Sequence, residues 1–191
     1  MSNKYHKLMY DCMAQNFPIP PTFEEKGWEL IHHKDKKLCQ LHTCHGFKVW
    51  MGNGHNEVYD MAYGAARMHG HCLVLGLGIG LVVQMIDYLN ICTKVTIVEH
   101  SPTVIKNIFP WLESVTSIPL EVIESDDIDF LTNTKDKFNT MYADTWEKCT
   151  DALEKIKQLK ALSKDIVKGK KVYWAEQELK AHKKREYNSY Y

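Results

Sequence analysis

Three glycines spaced two apart give this chain its clearest chemical feature. In LVLGLGIG, residues 73–80, Gly76, Gly78 and Gly80 follow a short apolar run and precede a helix-compatible stretch. Glycine permits a tight turn there and lets a ligand approach the backbone closely. The carboxyl end of a strand is where open α/β sheets bind ligands, and the following helix offers free N–H groups and positive potential. The spacing is G-x-G-x-G. A dinucleotide fingerprint, G-x-G-x-x-G, would need a third glycine at position 81, which is Leu81. No G-x-x-x-x-G-K-[ST] occurs, which excludes a phosphate-cradling P-loop. Glu99 ends the next apolar run, VTIVE, where a carboxylate can accept hydrogen bonds from two vicinal ribose hydroxyls. Asp126 follows LEVIE and could accept from an exocyclic adenine amine, with the backbone around Asp127 and Ile128 meeting the ring. Helix capping is the competing role for Asp126. Glycine loop, Glu99 and Asp126 fall at the ends of three successive strands, a nucleoside-shaped set.

Two further groups carry potential chemistry. Asp144 and Glu147, in FNTMYADTWE, give a D-x-x-E pair. One carboxylate could orient an amine while the other assists proton removal. The same spacing also suits a capping box, with Asp144 as N-cap and Glu147 at N3. Cys39, His42, Cys44 and His45 crowd seven residues, and zinc favours such ligands. In an extended strand, however, 39 faces away from 42 and 44, and no C-x-x-C pair exists. No metal is assigned.

The elements that must hold these residues follow from periodicity and punctuation. WELIHHK, KLCQLHTC and FKVWM read as short antiparallel strands within 28–52. Residues 56–68 read as a helix closed by Gly70. HCLVLG, KVTIVE, LEVIE, FNTMYAD and KKVYWAE read as five strands, the first two as buried parallel ones. GLVVQMIDYLN is a helix. Another starts at Ser101-Pro102 and is expected to end at Pro110, DDIDFL is a helical turn, and 147–166 is amphipathic with Ala152, Leu153, Ile156, Leu159 and Ile166 on one stripe. Strands alternating with helices predict a doubly wound, mostly parallel α/β sheet of Rossmann-like type. The expected division is a small N-terminal β appendage over 1–55 and a cofactor-binding domain over 56–191.

Composition excludes several classes. The 191 residues carry 45% hydrophobic and 25% charged side chains, which excludes disorder and collagen as the main description. The 24 basic and 24 acidic residues cancel, so net charge makes no case for nucleic acid or an anionic membrane. Between Lys148 and Arg185, 12 basic face 5 acidic residues, which a lysine-rich solvated helix face accounts for. No apolar run reaches the ~18 residues of a membrane span. The start, MSNKYHKLMYDCMAQNF, lacks the apolar core of a secretory signal, and the six dispersed cysteines form no disulfide framework. A cytoplasmic protein is expected.

Residues 71–145 resemble the cofactor half of class I S-adenosylmethionine-dependent methyltransferases. Within that superfamily they look most like the spermidine synthase-like branch. VLGLGIG, VTIVEHSPTVI, LEVIESDDIDFL and FNTMYADTWE carry the likeness. The resemblance implies that Gly76, Gly78 and Gly80 border the methionine moiety, that Glu99 holds the ribose and that Asp126 holds the adenine. It implies that Asp144 and Glu147 stand where the branch places an acidic pair for an amine acceptor. It also implies that Glu57 and Tyr59 contact cofactor or acceptor. Trp50, Met51 and Trp146 could wall an acceptor pocket. The chain departs from the pattern after KKVYWAE, where too little remains for a sixth strand and hairpin. A second subunit could cover that sheet edge. The leading expectation is an S-adenosylmethionine-dependent methyltransferase acting on a small acceptor. The alternatives are an aminopropyltransferase using decarboxylated S-adenosylmethionine, or a cofactor-binding module without turnover. A nicotinamide dehydrogenase is disfavoured by Leu81.

Overall fold

The computed structural model describes residues 17–33, 39–43, 48–146, 149–176 and 178–181, together with Lys7, Leu8 and Asp11. The chain first forms an antiparallel sheet of β1 (Phe23–Glu25), β2 (Trp28–His32), β3 (Cys39–Thr43) and β4 (Lys48–Gly52), in that spatial order. β1 adds to the three strands expected from sequence. Its pairing of Glu25 with Trp28 leaves Lys26 and Gly27 as a two-residue turn, with φ of 48° and 85°. Left-handed residues at both positions suit the twist of a tight hairpin. Between β3 and β4 the register slips. Leu41 pairs with Met51 and His42 with Val49, so Trp50 is an extra residue. Such a bulge breaks the up-down alternation of a strand and re-aims its side chains.

The rest of the chain alternates helices and strands: α1 (His55–Ala65), β5 (Gly70–Leu75), α2 (Leu81–Leu89), β6 (Cys92–Glu99), α3 (Pro102–Val115), β7 (Leu120–Glu124), α4 (Asp127–Asn133), β8 (Thr140–Ala143), α5 (Cys149–Leu162) and β9 (Lys171–Tyr173). The five strands β5–β9 are all parallel, in the order β7-β6-β5-β8-β9. This is the Rossmann-like doubly wound sheet expected from sequence. Its winding reverses beside β5, so the crevice for a ligand opens there.

Strand periodicity divides the core. Cys72 and Val74 face one side of β5, with Met61, Met85 and Ile108; Leu73 and Leu75 face the other, with Phe130, Ile156 and Leu159. All of these except Phe130 are at most 2% exposed, so β5 is buried on both faces. Leu30 and Leu41 of the antiparallel sheet join the first core, which fixes that sheet against the domain.

α1 ends at Ala65, short of position 68, and Gly70, expected to close it, instead opens β5. The ends of α3 follow the sequence signals with one exception. Ser101 Oγ accepts from the Val104 amide, and Pro102 opens α3. Pro110, expected to end α3, lies inside it, and the helix runs on to Val115. Pro110 is exposed. The carbonyl one turn back that loses its N–H partner is on Lys106, also on the exposed side, where water can replace the bond. α5 buries Ala152, Ile156 and Leu159 as its stripe predicts. No described helix is long and apolar enough to cross a membrane.

Candidate active site

The strand order sets the line of the site. Asp126 follows β7, Glu99 ends β6, the glycine loop follows β5, Asp144 follows β8 and Trp174 follows β9. At a strand spacing of ~4.8 Å, these five ends span roughly 19 Å. They border one cavity of about 420 Å³, which is also lined by Trp28, Trp50 and Met51 of the antiparallel sheet and by Glu57 and Met61 of α1.

The glycine loop is tightly made. Gly76 has φ of 92°, and a Cβ there would lie 2.5 Å from the Asp144 carbonyl oxygen, so only glycine lets the loop pass the end of β8. The Gly76 amide donates to the Val98 carbonyl at 2.8 Å and the Gly80 amide to Leu77 at 2.9 Å. Gly76, Leu77 and Gly78 line the cavity, whereas Gly80 does not. Gly80 is instead the left-handed N-cap of α2, packed toward Leu112 of α3. Gly80 thus packs toward Leu112, outside the cavity lining.

Glu99 is 7% exposed. Its Oε2 accepts from the Leu77 amide at 2.9 Å and its Oε1 from the Ser101 amide at 2.8 Å. His100 Nδ1 lies 3.2 Å from Oε1. Burial alone would raise its pKa, but the bonds from His100, Leu77 and Ser101 outweigh it and hold the group below its ordinary value. Glu99 is therefore an ionised acceptor that ties the loop to β6. Each of its oxygens has two lone pairs, and Oε2 has one protein donor, so capacity remains for a hydroxyl.

Asp126 is exposed and caps α4, its Oδ1 accepting from Ile128 at 2.8 Å and Asp129 at 3.3 Å. The capping role is thus present, and both cap bonds fall on one oxygen of a carboxylate that still borders the cavity. Asp127 is turned inward. Its Oδ2 meets Lys155 Nζ at 3.0 Å and accepts from the Thr145 hydroxyl, joining α4 to α5. Its Oδ1 is buried with no hydrogen-bond partner among the described residues.

On the other side of the loop, burial dominates the carboxylates. Glu57 Oε2 accepts from the Gly52 amide at 2.6 Å, yet burial raises its pKa above the ordinary value against that bond. Asp144 is partly buried at the cavity wall. Burial, and then the nearby Glu57 charge, push its pKa up to about 7. Thr145 and Trp146 are not helical and α5 starts at Cys149, so Asp144 does not cap that helix, contrary to the capping-box alternative. Glu147 lies outside the described residues.

Tyr59, paired with Glu57 in the sequence reading, is 56% exposed and lies outside the cavity lining. Two residues along a helix turn about 200° around its axis, so Glu57 facing inward forces Tyr59 outward. Trp50, Met51 and Trp146 do line the cavity. Sequence reasoning missed Trp28, His100, Tyr142, Lys155 and Trp174 as lining residues. Trp174 had a findable signal, since it directly follows a strand at the ligand-binding edge. In the Cys/His cluster, Cys39 is buried in the core and its thiol is pushed up to about 12 by burial and Glu57. His42 bonds Gln40 Oε1 at 3.3 Å, while Cys44 and His45 lie outside the described residues.

The residues fit the nucleoside half of an S-adenosylmethionine-type cofactor. Glu99 offers an ionised acceptor, Asp126 a carboxylate at the next strand end, and Gly76 and Gly78 a surface without Cβ atoms.

Comparison with solved structures identifies the same fold. A spermidine synthase in complex with the transition state analogue AdoDATO matches at TM-score 0.55 and 12% identity, over 78% of this chain and 55% of that one. The spermidine synthase of Thermotoga maritima matches at TM-score 0.51 and 11% identity, over 78% and 53%. An S-adenosylmethionine-dependent methyltransferase from Clostridium acetobutylicum ATCC 824 gives TM-score 0.45 and 11% identity, over 62% and 47%. The matched part of this chain spans about half the length of these structures. No family model and no curated protein matches the sequence.

Proposed function

We propose that this chain is a transferase. It binds an S-adenosylmethionine-type nucleoside along the ends of β5–β7 and passes a carbon group to a small amine acceptor held beside Asp144. One observation carries the reading: a single cavity joins an ionised carboxylate, Glu99, to two carboxylates, Glu57 and Asp144, whose proton affinity burial has raised. Bound there, the cofactor's sulfonium supplies an electrophilic carbon. Glu99 takes the ribose hydroxyls, and Asp126 takes the exocyclic amine of the base. Glu57 and Asp144 face the acceptor. An ammonium group satisfies both, and a carboxylate whose pKa lies near 7 is well matched to take up the proton that the amine must lose. Trp28, Trp50, Trp146 and Trp174 line the cavity, and in this reading their apolar rings keep water from the reacting atoms.

The donor has two readings. Methyl transfer uses S-adenosylmethionine, whose tail carries a carboxylate. Aminopropyl transfer uses the decarboxylated form, whose tail ends in an amine alone. The loop favours the second. Its amides at Gly76, Leu77 and Gly80 already donate to protein acceptors. The side chains beyond are the acids Glu57 and Asp144, so a carboxylate tail meets like charge and an ammonium tail meets acceptors.

Calorimetric titration of S-adenosylmethionine, S-adenosylhomocysteine and decarboxylated S-adenosylmethionine, side by side, tests both levels. Binding of the decarboxylated form at least tenfold tighter supports aminopropyl transfer. Tighter binding of the other two supports methyl transfer. Binding of none overturns the cofactor assignment.

A further inference from the structure

Met51 touches the glycine loop in an unusual way. Its Sδ accepts from the Ile79 amide at 3.2 Å. A Cβ added to Gly78 would lie 1.9 Å from that sulfur, so the thioether rests directly on the face of the loop that glycine leaves bare. The contact is a consequence of the β3–β4 bulge. With Trp50 as the extra residue, Trp50 and Met51 both reach the cavity, where a regular strand would send one of them to the opposite face.

We infer that Met51 is a displaceable plug on the glycine loop: its thioether covers the place of the cofactor's sulfur-bearing chain, and the loop becomes available only when Met51 swings away. The inference rests on the proposed nucleoside site. The chemistry suits a gate better than a fixed wall. A thioether is a weak hydrogen-bond acceptor, so leaving Ile79 costs little once a ligand offers that amide a better one. Methionine has an unbranched, flexible side chain that repacks readily. Met51 is also only partly buried, and β4 is an edge strand of its sheet, so the side chain has room to leave without breaking strand pairing. A plug lowers apparent affinity by the fraction of molecules in which the site is closed, and removing it restores that factor.

The test combines ligand binding with a signal from Met51 itself. In full-length protein labelled with [13C-methyl]methionine, Met51→Leu identifies the Met51 signal among the 8 methionines. Without ligand, that methyl is expected away from the random-coil position; saturating S-adenosylhomocysteine moves it toward random coil. Met51→Ala is expected to bind S-adenosylhomocysteine about tenfold more tightly than wild type. Met51→Leu, which keeps the bulk but not the sulfur acceptor, falls between. A methyl already at the random-coil position in the free protein overturns the plug, as does equal or weaker binding by Met51→Ala. If no adenosyl compound binds either protein, the proposed function falls and the plug with it. If both bind alike, only the plug falls.

Discussion

On the β6–β7 side of the cleft, Glu99 and Asp126 are held by backbone N–H groups, Glu99 by Leu77 and Ser101 and Asp126 by Ile128 and Asp129. On the β8 side, Glu57 has one backbone donor, from Gly52, and the raised pKa of Asp144 reflects burial and the Glu57 charge. The same side-chain type is thus used in two states. Donors make Glu99 a permanent anion, suited to static hydrogen bonds with hydroxyls. Burial without enough donors leaves Asp144 between charged and neutral near pH 7, suited to moving a proton. Under the proposed function, the contrast puts binding on one side and proton transfer on the other.

The sharpest break of this contrast is Asp144→Asn. It removes the proton acceptor and keeps the shape. Turnover with an amine acceptor is expected to fall by about 10²–10⁴, while cofactor affinity stays within about threefold. In the unaltered protein, rate should rise with pH through about 7, as Asp144 ionises, and that rise should vanish in the variant. A variant retaining full turnover would return Asp144 to a packing role.

Glu99→Ala comes next. It removes the proposed ribose acceptor and leaves the Leu77 and Ser101 amides without their partner. Calorimetry should show roughly hundredfold weaker binding of S-adenosylhomocysteine, about 2.7 kcal/mol. Glu99→Gln keeps an acceptor oxygen and should recover part of that loss. Unchanged affinity in both variants would remove Glu99 from the ligand.

The same contrast decides what was legible beforehand. The binding side is local in sequence. Each residue is the last of a strand or lies within two positions after it, so glycine spacing and strand ends bring Gly76, Glu99 and Asp126 to the cavity. The parallel sheet was legible because its strands are short apolar runs between helix signals. The proton-transfer side is assembled across the fold. Glu57 from α1 reaches the end of β8 only once the sheet order β5-β8 exists, and no spacing rule encodes that meeting. The bulge that brings Trp50 and Met51 to the cavity depends on pairing with β3, which a single strand's pattern does not carry. Pro110 misled for a related reason. Its helix-breaking tendency is local, but the cost is decided by whether the freed carbonyl meets water.

A stability measurement separates the two carboxylate states by a smaller effect. Asp144 has a folded pKa of about 7 against an ordinary value of 3.8. The folded form therefore binds the proton more tightly than the unfolded chain. Stability from this group is full at low pH and is lost as pH rises from about 4 to about 7. Partial exposure reduces the effect, so Asp144→Asn is expected to gain ~1–2 kcal/mol at pH 8, roughly 3–6 °C in Tm, and little at pH 4. Glu99, with its lowered pKa, has the opposite slope: it stabilises the fold above its unfolded pKa and loses that contribution as pH falls. Equal Tm gains at pH 4 and pH 8 would mean that Asp144 is not held in the state described.

The smallest expected effect belongs to Tyr59→Ala. Glu57 and Tyr59 are two residues apart, yet one faces the cavity and the other is 56% exposed. If helix geometry alone divides them, removing the Tyr59 ring changes stability by no more than about 0.5 kcal/mol and leaves adenosyl-ligand affinity within twofold. Glu57→Gln in the same assay should instead weaken an amine acceptor, because it removes one of the two charges beside it. A tenfold loss of ligand affinity in Tyr59→Ala would require the cofactor to extend over the outer face of α1. The boundary between the two sides of the cleft would then have to be redrawn around that helix.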